Sequence, residues 1–170
     1  VVAWDSNDIR SAAITIIQGA FGTAGQKCVS TRRLIVPDNK FGKDLIKEVI
    51  KNTKKIIVGT FDGKDTPFMG PLRNSLMVDN ALKIQKYLLS KGGKSLLEAK
   101  RLPIGDCFIS PCIIDVTNVK YTLKDEVFAP FLRVIRVKTF ENALTEANNS
   151  EYGLATSILT EDKNLYEKFL

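Results

Sequence analysis

The chain has 170 residues, of which 44% are hydrophobic and 26% charged, so it is long enough for one domain with a substantial buried core. No apolar stretch approaches the length of a membrane span, and the first residues lack the basic-then-apolar order of a secretory signal. Three cysteines are too few for a disulfide scaffold, so we expect a reducing, cytoplasmic setting.

The formal net charge of +6 comes from 25 Lys and Arg against 19 Asp and Glu. The basic residues are spread along the chain among acidic ones, and no nucleic-acid-binding motif accompanies them, so we expect no nucleic-acid partner. The excess of positive charge is compatible with the binding of anionic metabolites. The chain has no histidine, which removes the commonest general base and the commonest zinc ligand, and we expect no metal site. Catalysis would have to use Cys, Glu, Lys or backbone amides.

The first half of the chain alternates helical and strand patterns. The opening VVAW reads as a strand entered part-way, and residues 6–25 predict a helix capped by Ser6 or Asn7 and ended by glycines. RRLIVP, at 32–37, is typical of a short buried strand. Residues 39–55 predict an amphipathic helix, 56–71 a loop rich in Gly, Pro and Asp, and 75–93 a second amphipathic helix. The expected buried face of the 39–55 helix is Phe41, Leu45, Ile46, Val49 and Ile50.

The second half continues the alternation. Residues 94–102 and 107–116 indicate strands joined by a turn near Pro103 and Gly105, and 131–140 indicates a further strand. Residues 141–150 predict a helix, 153–160 a strand and 161–170 a last helix with acidic residues at its positive end. Strands and helices that alternate in this way predict an α/β fold of three layers, α/β/α, with a mostly parallel sheet.

The stretch FGTAGQKCVSTRRLIV places Cys28 between a glycine-rich turn and an apolar run. A cysteine nucleophile acts as a thiolate, and a glycine turn with free N–H groups beside Lys27 would stabilise negative charge there. The pattern alone leaves open a buried, inert Cys28, because free cysteines are often small core residues. For Cys107 and Cys112 the core interpretation is favoured, since both lie in strand-like segments and their spacing matches no metal motif.

Three segments, taken together, resemble the NAD(P)-dependent aldehyde dehydrogenase superfamily. FGTAGQKCVSTRRLIV resembles its Gly-Gln-X-Cys active-site turn and following strand, and DEVFAPFLRVIR its Glu-X-Phe-Gly-Pro segment. ANNSEYGLATSILTED resembles its Ala-Asn-X-X-X-Tyr-Gly-Leu-Ala segment. Three further stretches, VGTFDGKDTPFMGPL, LLSKGGKSLLEAKRL and SPCIIDVT, are similar to a branch that oxidises a semialdehyde in bacterial arginine catabolism.

The resemblance implies roles for three residues. Cys28 would be the nucleophile that forms a thiohemiacetal and then a thioester, with its own N–H as one half of the oxyanion hole. Glu126 would accept hydrogen bonds from the nicotinamide-side ribose of NAD or NADP, and Phe128 would line the nicotinamide end. On pattern alone, Glu126 could equally be an exposed loop acid and Phe128 a core residue.

Other positions near these motifs have open interpretations. Ala129 stands where the family usually has glycine, so we expect strain or crowding there if the backbone needs a positive φ. Arg32 and Arg33 could anchor a dicarboxylate substrate, but ion pairing at the start of a strand is favoured. Phe21 could line a substrate tunnel or belong to the core.

The resemblance also implies a domain organisation. Residues 1–170 would be a partial catalytic domain of the aldehyde dehydrogenase type, with the cofactor-binding domain absent from this chain, and a homo-oligomer is expected of the full-length enzyme. The substrate would be a small aldehyde, and the chain alone would turn over poorly without the family's general-base glutamate and asparagine. Two alternatives remain: a different semialdehyde dehydrogenase, and a non-catalytic chain whose basic surface binds acidic partners.

Overall fold

The computed structural model describes residues 1–63, 65–120 and 126–170. In chain order the elements are β1 (Val2–Ala3), α1 (Ile9–Phe21), a short 3-10 turn (Gly22–Gly25), β2 (Arg33–Pro37), α2 (Lys40–Thr53), α3 (Ser75–Ser90), β3 (Lys94–Leu97), β4 (Cys112–Asp115), β5 (Phe131–Val137), α4 (Phe140–Asn148), β6 (Ile158–Leu159) and α5 (Lys163–Phe169). No helix in these described ranges combines the length and apolar character needed to cross a bilayer.

The described strands form one six-stranded sheet in the order β3-β4-β5-β2-β1-β6. Only β3 pairs antiparallel, against β4, and the other neighbouring strands are parallel. The longest pairing joins β2 to β5, with Arg33 opposite Arg133 and Pro37 opposite Val137. The predicted α/β fold with a mostly parallel sheet is confirmed.

Side-chain alternation along β2 and β5 separates two cores. Leu34 and Val36 belong to a large cluster that also contains residues of α1, α2 and α3, whereas Ile35 belongs to a smaller cluster with Phe140 and Ala143 of α4. Because neighbouring residues in a strand face opposite sides of the sheet, helices are needed on both faces to cover these apolar side chains. This arrangement gives the three layers expected from the sequence.

The helix ends follow local capping chemistry. Asp8, not Ser6 or Asn7, caps α1, because its carboxylate accepts a hydrogen bond from the Ser11 N–H. Asn39 and Asn74 cap α2 and α3 in the same way. The predicted buried face of α2 is confirmed, with Leu45, Ile46 and Val49 buried and its two outer members half-buried.

Several predicted strands were too long; of the 94–102 run, for example, only Lys94–Leu97 forms a strand. Only Ile158–Leu159 of the 153–160 run forms a strand, and residues 151–157 are exposed and irregular. Of the run 107–116, only Cys112–Asp115 is a strand, so Cys107 lies in a half-exposed turn rather than in the core. Cys112 is fully buried, as expected. Apolar content alone does not distinguish such irregular connections, whether exposed like 151–157 or largely buried like 108–111, from strands.

Candidate active site

The glycine-rich segment that precedes Cys28 winds into the left-handed region. Thr23, Ala24 and Gly25 have φ of 55°, 54° and 68°. A Cβ on Gly25 would lie 2.1 Å from the Ala129 carbonyl oxygen, so the turn packs directly on the segment before β5. Only glycine combines this backbone conformation with this close approach. The two segments that carry the predicted site residues are thus in contact.

Ala129 itself is not strained. Thr23 and Ala24 are the positive-φ non-glycine residues in the described part of the chain, so Ala129 has an ordinary backbone conformation. Its methyl group is buried in the core at 3% exposure. The expected backbone strain at this position is therefore wrong, and the neighbouring position that requires glycine is Gly25.

Cys28 lies in an exposed turn. The turn is closed by the Ser30 N–H, which donates to the Lys27 carbonyl at 3.1 Å, and by the Lys27 N–H, which donates to the Ser30 hydroxyl at 3.2 Å. Within the described residues no hydrogen bond engages the N–H of Cys28. A reachable sulfur beside an unused N–H is the arrangement that a cysteine nucleophile with an oxyanion donor requires.

Gln26 fixes this turn to a distant loop. Its side-chain amide donates to the Pro71 carbonyl at 3.2 Å and its side-chain oxygen accepts from the Arg73 N–H at 2.9 Å. The two bonds tie the residue two positions before Cys28 to residues 71–73. Gln26 therefore has a structural role in the motif, because its side-chain amide both donates and accepts a hydrogen bond that anchors the turn.

Arg32 joins the Cys28 turn to the segment that carries Glu126. Its guanidinium donates to the carbonyls of Lys27 at 3.0 Å, Ser30 at 2.9 Å and Val127 at 3.2 Å. It also pairs with Glu126 at 3.4 Å. Burial lowers the pKa of Arg32, and the negative charges of Glu126 and Cys28 oppose that shift. Sequence reasoning predicted ion pairing for Arg32, which is confirmed, but missed these carbonyl contacts.

Cys28 and Glu126 line the same cleft, which has a volume of about 1060 Å³. Both precede neighbouring parallel strands, β2 and β5, so both lie at the amino edge of the sheet. Phe128 is not among the described residues that line this cleft; it is half-buried, and the Arg32 guanidinium stacks on its ring at 4.5 Å from the centroid. Phe21 has no exposed surface, so it belongs to the core and not to a substrate tunnel.

The cleft floor is rich in charge. Arg33 pairs with Glu146 at 3.3 Å and donates to the Glu146 and Ala147 carbonyls at the end of α4. Arg133, opposite Arg33 in the sheet, has its pKa lowered to about 10 by burial and by the nearby charges of Arg33 and Arg32. The described charged side chains that line the cleft are Arg32, Arg33, Lys120, Glu126, Arg133, Glu146 and Glu151.

A family model described as the aldehyde dehydrogenase family matches residues 1–170, the whole of the chain. The chain belongs to the aldehyde dehydrogenase family. It is 41% identical over 169 residues to an N-succinylglutamate 5-semialdehyde dehydrogenase of Sphingopyxis alaskensis, a match that covers 99% of this chain and 35% of that protein. It is 40% identical over 169 residues to the protein of the same name from Novosphingobium aromaticivorans, covering 99% of this chain and 36% of that one.

Among solved structures, a 1-pyrroline-5-carboxylate dehydrogenase from Thermus with bound NAD superimposes with a TM-score of 0.88 at 27% identity. That match covers 98% of this chain and 32% of the Thermus chain. The aldehyde dehydrogenase fold of this chain is thus found in solved structures as well as in sequence relatives. The chain spans about a third of the length of the curated relatives that it matches.

Proposed function

We propose that this chain carries the nucleophile of an NAD(P)-dependent aldehyde dehydrogenase and that Cys28 is that nucleophile. The observation that supports the proposal best is the position of Cys28: exposed, in a turn with an unused N–H, in one cleft with Glu126. Cys107 and Cys112 lack this combination, since Cys112 is buried and Cys107 does not line the cleft.

In the proposed reaction the Cys28 thiolate adds to the aldehyde carbon, which forms a C–S bond and places negative charge on the former carbonyl oxygen. The Cys28 N–H donates a hydrogen bond to that oxygen. After oxidation the acyl group is bound to sulfur as a thioester, and water cleaves the C–S bond to release a carboxylate and restore the thiol.

The residues present fit a nicotinamide dinucleotide on one side. Glu126 is half-buried at the cleft wall, and its Oε1 pairs with the Arg32 guanidinium at 3.4 Å; among the described residues nothing binds its Oε2, which could accept from ribose hydroxyls. Phe128, two residues later, is the proposed contact of the nicotinamide end, although it does not line the cleft in the described part of the chain and its ring stacks on Arg32. The dinucleotide, when bound, supplies the hydride acceptor. NAD is the proposed cofactor, and NADP remains the alternative.

The proposed substrate is N-succinyl-L-glutamate 5-semialdehyde, oxidised to N-succinyl-L-glutamate in arginine catabolism. The names of the two 40–41% identical relatives support this choice. We also propose a cytoplasmic enzyme that is a homo-oligomer at full length. The residues here would form part of the catalytic domain, with the dinucleotide bound largely by a separate domain.

Steady-state assays of the full-length protein test the proposal. Wild type should reduce NAD with N-succinylglutamate semialdehyde at a higher kcat/KM than with succinate semialdehyde or glutamate semialdehyde. Cys28→Ser should lower kcat by on the order of 10⁴-fold or more, because serine lacks a comparable nucleophilic anion. Cys107→Ser is the matched control and should keep wild-type rates. Retention of full activity by Cys28→Ser would refute the assignment of the nucleophile.

A further inference from the structure

The Arg32 side chain forms hydrogen bonds to both halves of the candidate site. Its Nη2 and Nη1 atoms bind the carbonyls of Lys27 and Ser30, which flank Cys28 on either side. Its Nε binds the carbonyl of Val127, the residue between Glu126 and Phe128. Lys27 and Arg32 are five positions apart in the sequence, whereas Arg32 and Val127 are 95 positions apart. The bond to the Val127 carbonyl therefore joins two segments that are distant in sequence.

A guanidinium suits this arrangement because it is planar and presents five N–H donors in a fixed fork. Three of its nitrogens bind three different carbonyls here, while one of its faces stacks on Phe128 at 4.5 Å and its edge approaches Glu126 at 3.4 Å. The Arg32 side chain is only 12% exposed, so these contacts are shielded from competing water. Lysine in its place would supply the charge but neither the fork nor the stacking surface.

We propose that Arg32 is a positioning residue, which sets the Cys28 turn and the 126–128 segment in one fixed arrangement through its three carbonyl bonds and its stacking on Phe128. The proposal rests on the proposed function, since it concerns the geometry in which Cys28 and Glu126 act together. Arg32 acts through these backbone groups and does not itself touch the reacting atoms. The prediction is that charge alone at position 32 does not restore activity.

The test compares Arg32→Lys and Arg32→Gln in the full-length enzyme. Both variants should lower kcat by roughly 10- to 100-fold, since a misplacement of about 1 Å has effects of that size. Both should also raise the KM for NAD, because the 126–128 segment loses its anchor. The rate of Cys28 alkylation by iodoacetamide at a fixed pH is a further readout: both variants should slow it, because the Cys28 turn loses the carbonyl bonds that hold it.

Arg136→Gln is the matched control. Arg136 lies in β5 and forms a similarly buried ion pair with Asp115 at 2.8 Å, but it contacts neither site segment. Arg136→Gln should lower thermal stability as the Arg32 variants do. Its kcat, its KM for NAD and its rate of Cys28 alkylation should stay at wild-type values. Phe128→Leu gives a milder variant, because it removes the surface on which Arg32 stacks but leaves the three carbonyl bonds, and it should slow Cys28 alkylation less than the Arg32 variants do.

Two outcomes would overturn the proposal. One is a wild-type kcat and KM for NAD in Arg32→Lys, which would show that position 32 needs only a charge. The other is a Phe128→Leu variant whose Cys28 alkylates at the wild-type rate, which would show that the two segments are not coupled. Neither outcome touches the role of Cys28, which fails only if Cys28→Ser remains active.

Discussion

At the scale of single residues, Gly25 and Gly22 differ in what surrounds them although they lie three positions apart. Gly25 has φ of +68° and sits against the Ala129 carbonyl, whereas a Cβ on Gly22 would meet nothing within 4 Å. Gly25→Ala should therefore force apart the Cys28 turn and the segment before β5, and lower the free energy of unfolding by about 3 kcal/mol. Urea denaturation followed by circular dichroism measures this.

Gly22→Ala is the control for that prediction. Gly22 ends α1 with φ of −54°, which alanine adopts without strain, so its free energy of unfolding should stay within about 0.5 kcal/mol of wild type. If Gly25→Ala were as stable as Gly22→Ala, this would contradict the close contact between Gly25 and the Ala129 carbonyl. An equal and large decrease in the free energy of unfolding of both variants would instead indicate that the turn tolerates no substitution.

The three cysteines should differ in reactivity because their surroundings differ. Cys28 is exposed beside a guanidinium, Cys107 is half-exposed in a turn, and burial raises the pKa of the Cys112 thiol to about 12. A mild alkylating reagent at pH 7.5 should label Cys28 first, Cys107 more slowly and Cys112 only after unfolding. Peptide mapping by mass spectrometry measures the order in which the three cysteines are labelled. Equal rates of labelling of Cys28 and Cys107 would contradict the prediction.

At the scale of elements, Asp115 and Arg136 link β4 to β5. The Asp115 carboxylate accepts from the Arg136 Nε at 2.8 Å and from the Thr117 hydroxyl at 2.6 Å. Burial raises the pKa of Asp115, but these hydrogen bonds outweigh it and the net pKa is lowered. The unfolded chain therefore takes up this proton more readily, so the stabilisation is complete above the ordinary carboxyl pKa and is lost as pH falls through the lower folded value.

Asp115→Asn should lower the free energy of unfolding by about 1–2 kcal/mol at pH 7, the size of a charged hydrogen bond discounted for partial solvent screening. The difference from wild type should shrink as urea titrations are repeated toward pH 3. Asp44→Asn removes an exposed pair with Lys40 on α2 and should change stability little at either pH. A difference for Asp115→Asn that is independent of pH would show that the carboxylate charge is not what stabilises this link.

The elements also show how far the sequence determines the fold. The periodicity of α2 and the apolar run of β2 predict their type and their buried faces, because both patterns are local. The order of the strands is not local: β2 and β5 are neighbours although about a hundred residues separate them. The motifs could therefore predict Cys28 and Glu126 as site residues. They could not show that the two residues line one cleft or that Arg32 joins their segments.

At the scale of the whole molecule, the site lies at an open edge of the sheet. The cleft of about 1060 Å³ is bordered by the Cys28 turn, by β2 and β5 near their starts, and by residues 149–157, which follow α4 and are mostly exposed. Leu154, at this border, is 72% exposed, which is unusual for a large apolar side chain.

This arrangement predicts a separation of two properties when the 170 residues are produced alone. Cys28 reactivity depends on the turn, Gln26 and Arg32, all within the chain, so selective alkylation of Cys28 should persist. On the proposed function, the general base for thioester hydrolysis and most of the dinucleotide contacts belong to other parts of the enzyme; loss of a general base costs about 10²–10⁴-fold, so NAD reduction should fall to below roughly 1% of the full-length rate. Circular dichroism first establishes that the chain is folded. Near-normal turnover by this folded chain would refute the proposed division between a nucleophile-bearing unit and the rest of the enzyme.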